Sequence, residues 1–116
     1  MKASRVFIHP STKEGGGSIT VLEANACGLP VVAYRHKNGI ADELIDEGVN
    51  GYWVEETNSS AMAERVRQLL LDKNLSQNIK DNSIKYARQY DWSNIGSKYN
   101  SCFLAIMRNE KAKNIL

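Results

Sequence analysis

Cysteines, long apolar runs and clustered basic residues are all scarce in this sequence, and each scarcity excludes a class of protein. The two cysteines, Cys27 and Cys102, cannot build a disulfide framework, so we expect reduced core thiols in a cytoplasmic protein. No apolar run approaches the roughly 20 residues that span a bilayer. The first five residues contain no apolar h-region, and we therefore expect no secretory signal there.

The charge pattern also argues against one kind of partner. A net charge of +2 and a pI near 8.6 make the chain only mildly basic, and no stripe of Lys and Arg alternates with aromatic residues. We therefore expect no nucleic acid as a partner. Apolar residues make up 42% and charged residues 24%, which is typical of a soluble globular protein. At 116 residues the chain can form one small domain.

Residues 10–28 form the most informative stretch. Three consecutive glycines, Gly15, Gly16 and Gly17, separate a predicted strand from a predicted helix that begins near Ser18. Glycines let a backbone come close to a ligand, and a helix N-terminus offers unpaired N–H groups and a positive dipole end. The sequence therefore predicts a phosphate site at this turn.

A carboxylate stands on each side of the glycine turn. Glu14 precedes it, and Glu23 lies roughly 7 Å along the axis of a helix that begins near Ser18, at 1.5 Å per residue. Helical side chains lean toward the N-terminus, so Glu23 can point back along a ligand whose phosphates sit at the turn. Carboxylates accept hydrogen bonds from sugar hydroxyls, and the combination suits a nucleotide-sugar.

The residues of this stretch also have purely structural interpretations, which remain open. Thr20 and Glu23 fit a capping box with Thr20 as the N-cap, which would give Glu23 a structural task. Glu14 can equally be a solvated loop carboxylate, and the glycines a flexible connector. His9, at the end of the first strand, is interpreted as a packing or substrate-wall residue, because no Asp or Cys lies near it in the sequence.

Apolar spacing predicts alternating strands and helices and hence an α/β, Rossmann-like parallel sheet of about three strands with flanking helices. The helix over residues 18–27 places Ile19, Leu22, Ala26 and Cys27 on one face. The clearest helical stripe comes last and includes Trp92, Tyr99 and Phe103. The expected strands lie at 6–8, 30–34 and 52–54, and the expected helices at 18–27, 40–45, about 60–71, 75–90 and 92–107.

Three short strands make a thin sheet, since an open parallel sheet needs both faces and its edges covered. Met1 also falls almost immediately before a strand that behaves as a central one. We therefore expect the chain to be the second half of a larger domain.

The chain from about residue 3 to residue 106 resembles the C-terminal part of retaining glycosyltransferases of family four, which share the two-domain GT-B architecture. The resemblance rests on several segments that follow one another in the family's order: 3–11, Glu14-Gly15, 22–33, 38–40, 42–45, 48–51 and the corner residue Trp92. One departure concerns the glutamates, which are separated by eight residues here, Gly15 to Leu22, and by seven in the family. We place the extra residue in the glycine turn, because inside the helix it would rotate Glu23 by about 100°.

The resemblance implies both a fold and a set of site residues. Residues 1–90 would be the second half of a nucleotide-sugar-binding domain, and residues 91–116 a crossover helix and tail. Glu14 would be catalytic and meet donor-sugar hydroxyls, Glu23 would hold the ribose hydroxyls, and amides around Gly16, Gly17, Ser18 and Ile19 would cradle the distal phosphate. The reaction would be retaining hexosyl transfer that requires no cofactor and no metal, and no Asp-x-Asp motif is present.

The implied partners are a nucleotide-sugar donor and the parts of the enzyme that this chain does not contain, an acceptor-binding domain and an upstream half-domain. We expect the chain alone to be inactive. The acceptor would be a glycan, a lipid or a small molecule, with a location in the cytoplasm or at the cytoplasmic face of a membrane. The apolar stripe of the last helix would either cover the core or favour self-association. The alternative function is a non-catalytic α/β interaction module, while a small nucleotide-binding protein of other chemistry is disfavoured by the glutamate pair.

Overall fold

A computed structural model describes residues 1–13 and 18–108 of the chain. Within these residues, three strands and four α-helices form; strands and helices alternate in the first part, and helices alone make up the rest. A short 3-10 turn at Asp42–Leu44 precedes the last strand. The bounds are β1 Phe7–His9, α1 Ile19–Ala26, β2 Val31–Arg35, β3 Gly51–Glu55, α2 Ser59–Leu71, α3 Lys73–Arg88 and α4 Trp92–Met107.

The sheet confirms the predicted α/β class. Its described strands are parallel in the order β1-β2-β3, so each connection crosses over the sheet. β2 is central and buried on both faces. Val31 and Ala33 join a core cluster with α1, whereas Val32 and Tyr34 join a second cluster with α2 and α3. This alternation follows from the two-residue period of a strand and gives the domain its two layers of helices.

Side-chain caps start the three later helices; α2 and α4 begin within one residue of their predicted starts, whereas α3 begins at Lys73 and not at residue 75. Asn58 Oδ1 accepts a hydrogen bond from the Ala61 N–H at 3.0 Å, and Asp72 Oδ1 accepts one from the Leu75 N–H at 3.0 Å. Asp91 Oδ1 accepts one from the Ser93 N–H at 2.9 Å. Each cap satisfies an amide at the start of a helix that would otherwise lack a partner. The predicted corner at residues 91–92 is therefore confirmed as a capped helix start.

Helix α1 differs from its prediction in two respects. It begins at Ile19 with Ser18 as the N-cap residue, so the interpretation of Thr20 as an N-cap was wrong. Its buried residues are Val21, Ala24 and Asn25, whereas Ile19 is 71% exposed. The predicted face is confirmed in part: Leu22 and Cys27 are half-buried and pack against the core cluster, whereas Ile19 and Ala26 are exposed.

Helix α4 does not use its apolar stripe to cover the core within the described part of the chain. Of its described residues only Ala105 is buried, while Trp92, Tyr99, Phe103 and Ile106 are exposed. The two cysteines are free, half-buried thiols, and Cys27 packs against the core cluster of α1 and β2. The stripe is thus a surface of the chain, and the prediction of self-association stays a prediction.

A tyrosine links the end of α3 to the 3-10 turn. The hydroxyl of Tyr86 donates a hydrogen bond to the backbone oxygen of Glu43. Burial raises the pKa of Tyr86 from 10.0 to about 12, and its hydrogen bond and charge interaction with Tyr90 and the negative charges of Asp46 and Glu43 add to the effect. The folded state therefore favours the neutral phenol.

This raised pKa predicts a loss of stability in alkali. The contribution of Tyr86 is complete below the unfolded pKa of 10.0 and disappears as the pH rises through the folded pKa of about 12. Urea denaturation should show that the free energy of unfolding falls less between about pH 9 and about pH 11 for Tyr86→Phe than for the wild type. Tyr99→Phe, at an exposed site on α4, is the control and should follow the wild type. Equal losses in wild type and Tyr86→Phe would contradict the linkage.

Candidate functional site

The start of α1 lies just beyond the carboxyl end of β1, where ligands bind in open parallel sheets. β1 ends at His9, and Ser18, the N-cap residue of α1, lies beside it. The predicted site residues Glu14, Gly15, Gly16 and Gly17 lie outside the described residues. Their predicted roles stay predictions, and the described geometry concerns Ser18, Ile19 and Glu23.

Two hydroxyls and an imidazole meet at the N-terminus of α1. Ser18 Oγ lies 2.7 Å from Thr20 Oγ1 and 3.4 Å from His9 Nε2, and both Ser18 and His9 are buried. His9 is thus a packed residue at the wall of the site, as predicted. Because the Ser18 hydroxyl is engaged in these contacts, it makes no capping hydrogen bond to α1. The first amides of the helix are therefore not occupied by the Ser18 side chain.

Glu23 lies on the outer, exposed face of α1 and not in the core. Together with Ile19 it lines a groove of about 640 Å³ that runs between α1 and the junction of α3 with α4. The structure therefore brings two of the three described site residues, Ile19 and Glu23, to one groove. Ser18 is not among the groove's lining residues; it stands at the buried start of the same helix.

Sequence reasoning missed the opposite wall of this groove. Arg88, Tyr90, Asp91 and Trp92 come from the junction between α3 and α4 and line the groove across from α1. The indole of Trp92 is 87% exposed. Backbone and hydroxyl hydrogen bonds from Ser93 lower the pKa of Asp91 below its ordinary value. In the sequence, the signal for this wall was the pair of aromatic residues Tyr90 and Trp92 at the predicted corner. The packing of α3 on α1, which the sequence does not show, brings this pair near Glu23.

The groove thus combines the groups that recognise a nucleoside or a sugar. Carboxylates accept hydrogen bonds from vicinal hydroxyls, a guanidinium donates to carbonyl or phosphate oxygens, and an exposed indole offers a flat apolar surface. Among residues 1–13 and 18–108, no group of three His, Cys, Asp or Glu side chains could hold a metal ion. Within the same residues, no helix combines the length and the apolarity that a membrane crossing requires.

Comparison with known proteins places this geometry in a family context. The sequence pattern of the family described as glycosyl transferases group 1 matches residues 1–86. A Campylobacter jejuni relative, N,N'-diacetylbacillosaminyl-diphospho-undecaprenol alpha-1,3-N-acetylgalactosaminyltransferase, is 32% identical over 104 residues, which are 90% of this chain and 27% of the relative. The chain therefore spans about a quarter of the length of this curated relative.

Two solved structures share the fold of the chain. Anabaena HepE, crystallised in complex with UDP-glucose, is 30% identical and has a TM-score of 0.68; the match covers 76% of this chain and 24% of HepE. The C-terminal domain of LpcC, a glycosyl transferase group 1 family protein from Francisella tularensis, is 32% identical and has a TM-score of 0.66. That match covers 75% of this chain and 43% of the LpcC domain.

Proposed function

Because this chain belongs to the glycosyl transferases group 1 family, we propose that it is the donor-binding part of a retaining hexosyltransferase of family four. Its ligand is a nucleotide-diphosphate sugar, and the whole enzyme transfers the hexose to a glycan, a lipid-linked acceptor or a small molecule. The observation that carries the proposal is the position of Glu23, exposed on the outer face of α1 and within the groove that begins beside Ile19.

The start of α1 is the proposed phosphate site. Amides of Gly16, Gly17, Ser18 and Ile19 bind the distal phosphate, supported by the positive end of the helix dipole. The hydroxyl pair of Ser18 and Thr20 adds polar groups at that end. When the bond between the anomeric carbon and the phosphate oxygen breaks, negative charge develops on the diphosphate. Fixed amides next to that charge lower the barrier electrostatically.

The groove beside Glu23 is the proposed nucleoside site. Glu23 accepts hydrogen bonds from the ribose hydroxyls, and Glu14, on the other side of the glycine turn, meets the hydroxyls of the transferred sugar. The distance of roughly 7 Å along the helix axis from Ser18 to Glu23 suits the span from a phosphate to a ribose. Anabaena HepE, which shares the fold, was crystallised with UDP-glucose, and this supports a uridine nucleotide as the first ligand to test.

The proposed reaction uses no metal and no cofactor from this part of the chain. The acceptor hydroxyl forms the new bond to the anomeric carbon, its proton leaves with the departing diphosphate or solvent, and the configuration is retained. We propose that the chain alone does not turn over, because the acceptor domain and the upstream half-domain are required. A peripheral membrane location is proposed for the case of a lipid-linked acceptor.

Donor binding by Glu23 predicts a specific calorimetric result. Isothermal titration with UDP-, GDP- and ADP-sugars should give heat with one of the three, and Glu23→Gln should weaken that binding by about tenfold or more, because each lost bond to a charged acceptor is worth about 1.5–3 kcal/mol. Glu64→Gln is the matched control, since Glu64 is exposed on α2 and pairs with Arg67 at 3.3 Å. Equal affinities of Glu23→Gln and the wild type would refute the assignment.

The second candidate is a non-catalytic α/β interaction module derived from such an enzyme. The exposed apolar stripe of α4, which includes Tyr99, Phe103 and Ile106, favours it. In the same titrations this module would give no heat with any of the three donors, whereas the donor-binding function gives heat with one.

A further inference from the structure

An arginine stands at the carboxyl end of β2, the central strand of the described sheet. Arg35 is the last residue of β2 and follows Ala33 by two residues, so both lie on one face of the strand. Ala33 pairs with His9 and belongs to the core cluster of α1. His9 Nε2 in turn lies beside Ser18 Oγ at the start of α1. Arg35 and the start of α1 therefore share one face and one edge of the sheet.

The guanidinium of Arg35 is held by an aromatic ring. Its central carbon lies 5.0 Å from the centroid of the Trp53 ring, on β3. Trp53 is itself fixed, because its indole N–H donates to the Ile45 oxygen at 3.1 Å and its backbone N–H donates to Glu47 Oε2 at 2.7 Å. Stacking uses the flat face of a guanidinium and leaves the N–H groups in its plane able to donate. Such a fork matches the two oxygens of a carboxylate.

Carboxylates close to Arg35 in the sequence and the sheet do not pair with it. Glu55 is its register partner on β3, yet within the described residues Arg35 forms no ion pair. Glu56 Oε2 lies 3.0 Å from His36 Nε2, and His36 Nδ1 accepts the N–H of Asn38 at 3.0 Å. The imidazole thus engages Glu56 and fixes the loop that follows β2. Arg35 is exposed, and its positive charge is available to a ligand.

The donor site proposed above, on which this inference rests, places the transferred sugar on the side of Arg35. The nucleoside extends from the phosphate site along α1 toward Glu23. The sugar, at the opposite end of the diphosphate, extends away from the helix and over the carboxyl ends of the strands, where ligands lie in open parallel sheets. Neighbouring strands are roughly 5 Å apart, and two strand residues span roughly 7 Å. Arg35 therefore lies past the phosphate and next to the sugar.

We propose that Arg35 is a specificity-determining residue of the donor site and that the transferred sugar is a hexuronic acid. The guanidinium binds the C6 carboxylate of this sugar through two parallel hydrogen bonds. The diphosphate is a poorer match, because the guanidinium lies over Trp53 on β3, two strands away from β1 and the start of α1. A neutral hexose presents a hydroxyl at C6, which forms a single, weaker hydrogen bond with the guanidinium.

Isothermal titration with two donors that differ only at C6 tests this assignment. UDP-glucuronate carries a carboxylate there and UDP-glucose a hydroxymethyl group; a GDP or ADP pair of the same kind replaces them if the donor titrations select that base. We expect the wild type to bind the uronate donor about tenfold or more tightly than the neutral donor. Arg35→Gln should remove this preference and leave the affinity for the neutral donor close to that of the wild type. Arg35→Lys should retain part of the preference, because it keeps the charge but not the fork.

Arg65→Gln is the matched control. Arg65 also stacks on an aromatic ring, with its guanidinium carbon 4.4 Å from the centroid of the Tyr52 ring. Tyr52 belongs to the core cluster on the other face of the sheet, away from α1. Arg65→Gln should therefore prefer the uronate donor as the wild type does. Far-UV circular dichroism of each variant establishes that a loss of binding is not a loss of folding.

Three results would overturn the proposed specificity. The first is a wild type that binds the neutral donor as tightly as the uronate donor, and the second is a preference that Arg35→Gln leaves unchanged. The third is an equal weakening of both donors by Arg35→Gln, which would place the guanidinium on the diphosphate. In all three cases, donor binding that depends on Glu23 would still be observed, and the proposed function would stand. Heat with none of the donors would instead refute the proposed function and this specificity with it.

Discussion

Gly51→Ala is expected to destabilise the protein by about 3 kcal/mol or more, because overpacking against a fixed backbone is among the more costly substitutions. Gly51 is the first residue of β3 and pairs with Val31 of β2. A Cβ atom at Gly51 would overlap the backbone oxygen of Val31 and lie 3.1 Å from its carbonyl carbon and 3.2 Å from its Cβ. Strand β2 is packed on both faces, so it cannot move aside, and β3 must separate from it.

Two other glycines provide matched controls for this prediction. Gly48 has a φ of +77°, and a Cβ atom added there would meet no described atom within 4 Å, so Gly48→Ala should cost only about 1–2 kcal/mol for the left-handed backbone. Gly96 lies inside α4 with the same clearance from the described residues, and Gly96→Ala should stabilise by about 0.5–1 kcal/mol. Urea denaturation followed by circular dichroism measures all three. If Gly51→Ala costs no more than Gly48→Ala, the close approach of β3 to β2 is refuted.

The order of elements was predictable because each carries a local signal. Val31 to Tyr34 form a continuous apolar run, and they are the central, doubly buried strand. The segment 40–45, predicted as a short helix, forms a 3-10 turn at Asp42–Leu44, and its apolar side chains Ile40, Leu44 and Ile45 are buried. The helix predicted from about residue 60 begins at Ser59, and the helix predicted from residue 75 begins two residues earlier, at Lys73. Patterns of this kind depend on neighbours within a few residues, which a sequence shows.

The parts that failed or stayed untested depend on contacts between distant residues. The buried face of α1 is set by its packing against the core and α3, which buries Val21 and Ala24 and leaves Ile19 exposed. The opposite wall of the Glu23 groove, with Arg88 and Trp92, exists only because α3 packs on α1. Hydrophobic periodicity identifies a stripe but not its partner. The stripe of α4 was therefore visible in the sequence, which left open whether it covers the core or lies exposed.

The same limit applies to Asn50, which the sequence marked only as part of a turn. Asn50 is fully buried and connects three segments. Its Oδ1 accepts a hydrogen bond from the Asp46 N–H at 2.7 Å, and its Nδ2 donates one to the Leu44 oxygen at 3.0 Å. Its backbone oxygen accepts from the Val31 N–H at 3.3 Å and from Ser83 Oγ at 3.4 Å. The Asn50 side chain thus stabilises the loop that leads into β3, and the Asn50 backbone oxygen connects this loop to β2 and α3.

Asn50→Ala is expected to cost about 2–4 kcal/mol, because it leaves the Asp46 N–H and the Leu44 C=O without their side-chain partner. Ser83→Ala removes only the weaker, 3.4 Å bond to the same residue and should cost about 1 kcal/mol or less. Urea denaturation at neutral pH measures both variants. A cost for Asn50→Ala no larger than that for Ser83→Ala would show that the two side-chain bonds do not hold the loop.

Asn50→Asp separates these hydrogen bonds from simple packing. An ionised carboxylate in place of the Asn50 amide could still accept from the Asp46 N–H but could not donate to the Leu44 oxygen, and it would be a buried charge. A protonated carboxyl could do both, so the folded-state pKa of this carboxyl would lie above its unfolded value of about 3.9. The stability that the protonated carboxyl contributes is then complete below the unfolded pKa and is lost as the pH rises through the folded-state pKa. The difference in free energy of unfolding between wild type and Asn50→Asp should therefore shrink from pH 7 toward about pH 4. The corresponding difference for Asn50→Ala should stay constant. If the free energies of unfolding of the two variants change with pH in the same way, the proposed hydrogen bonds are contradicted.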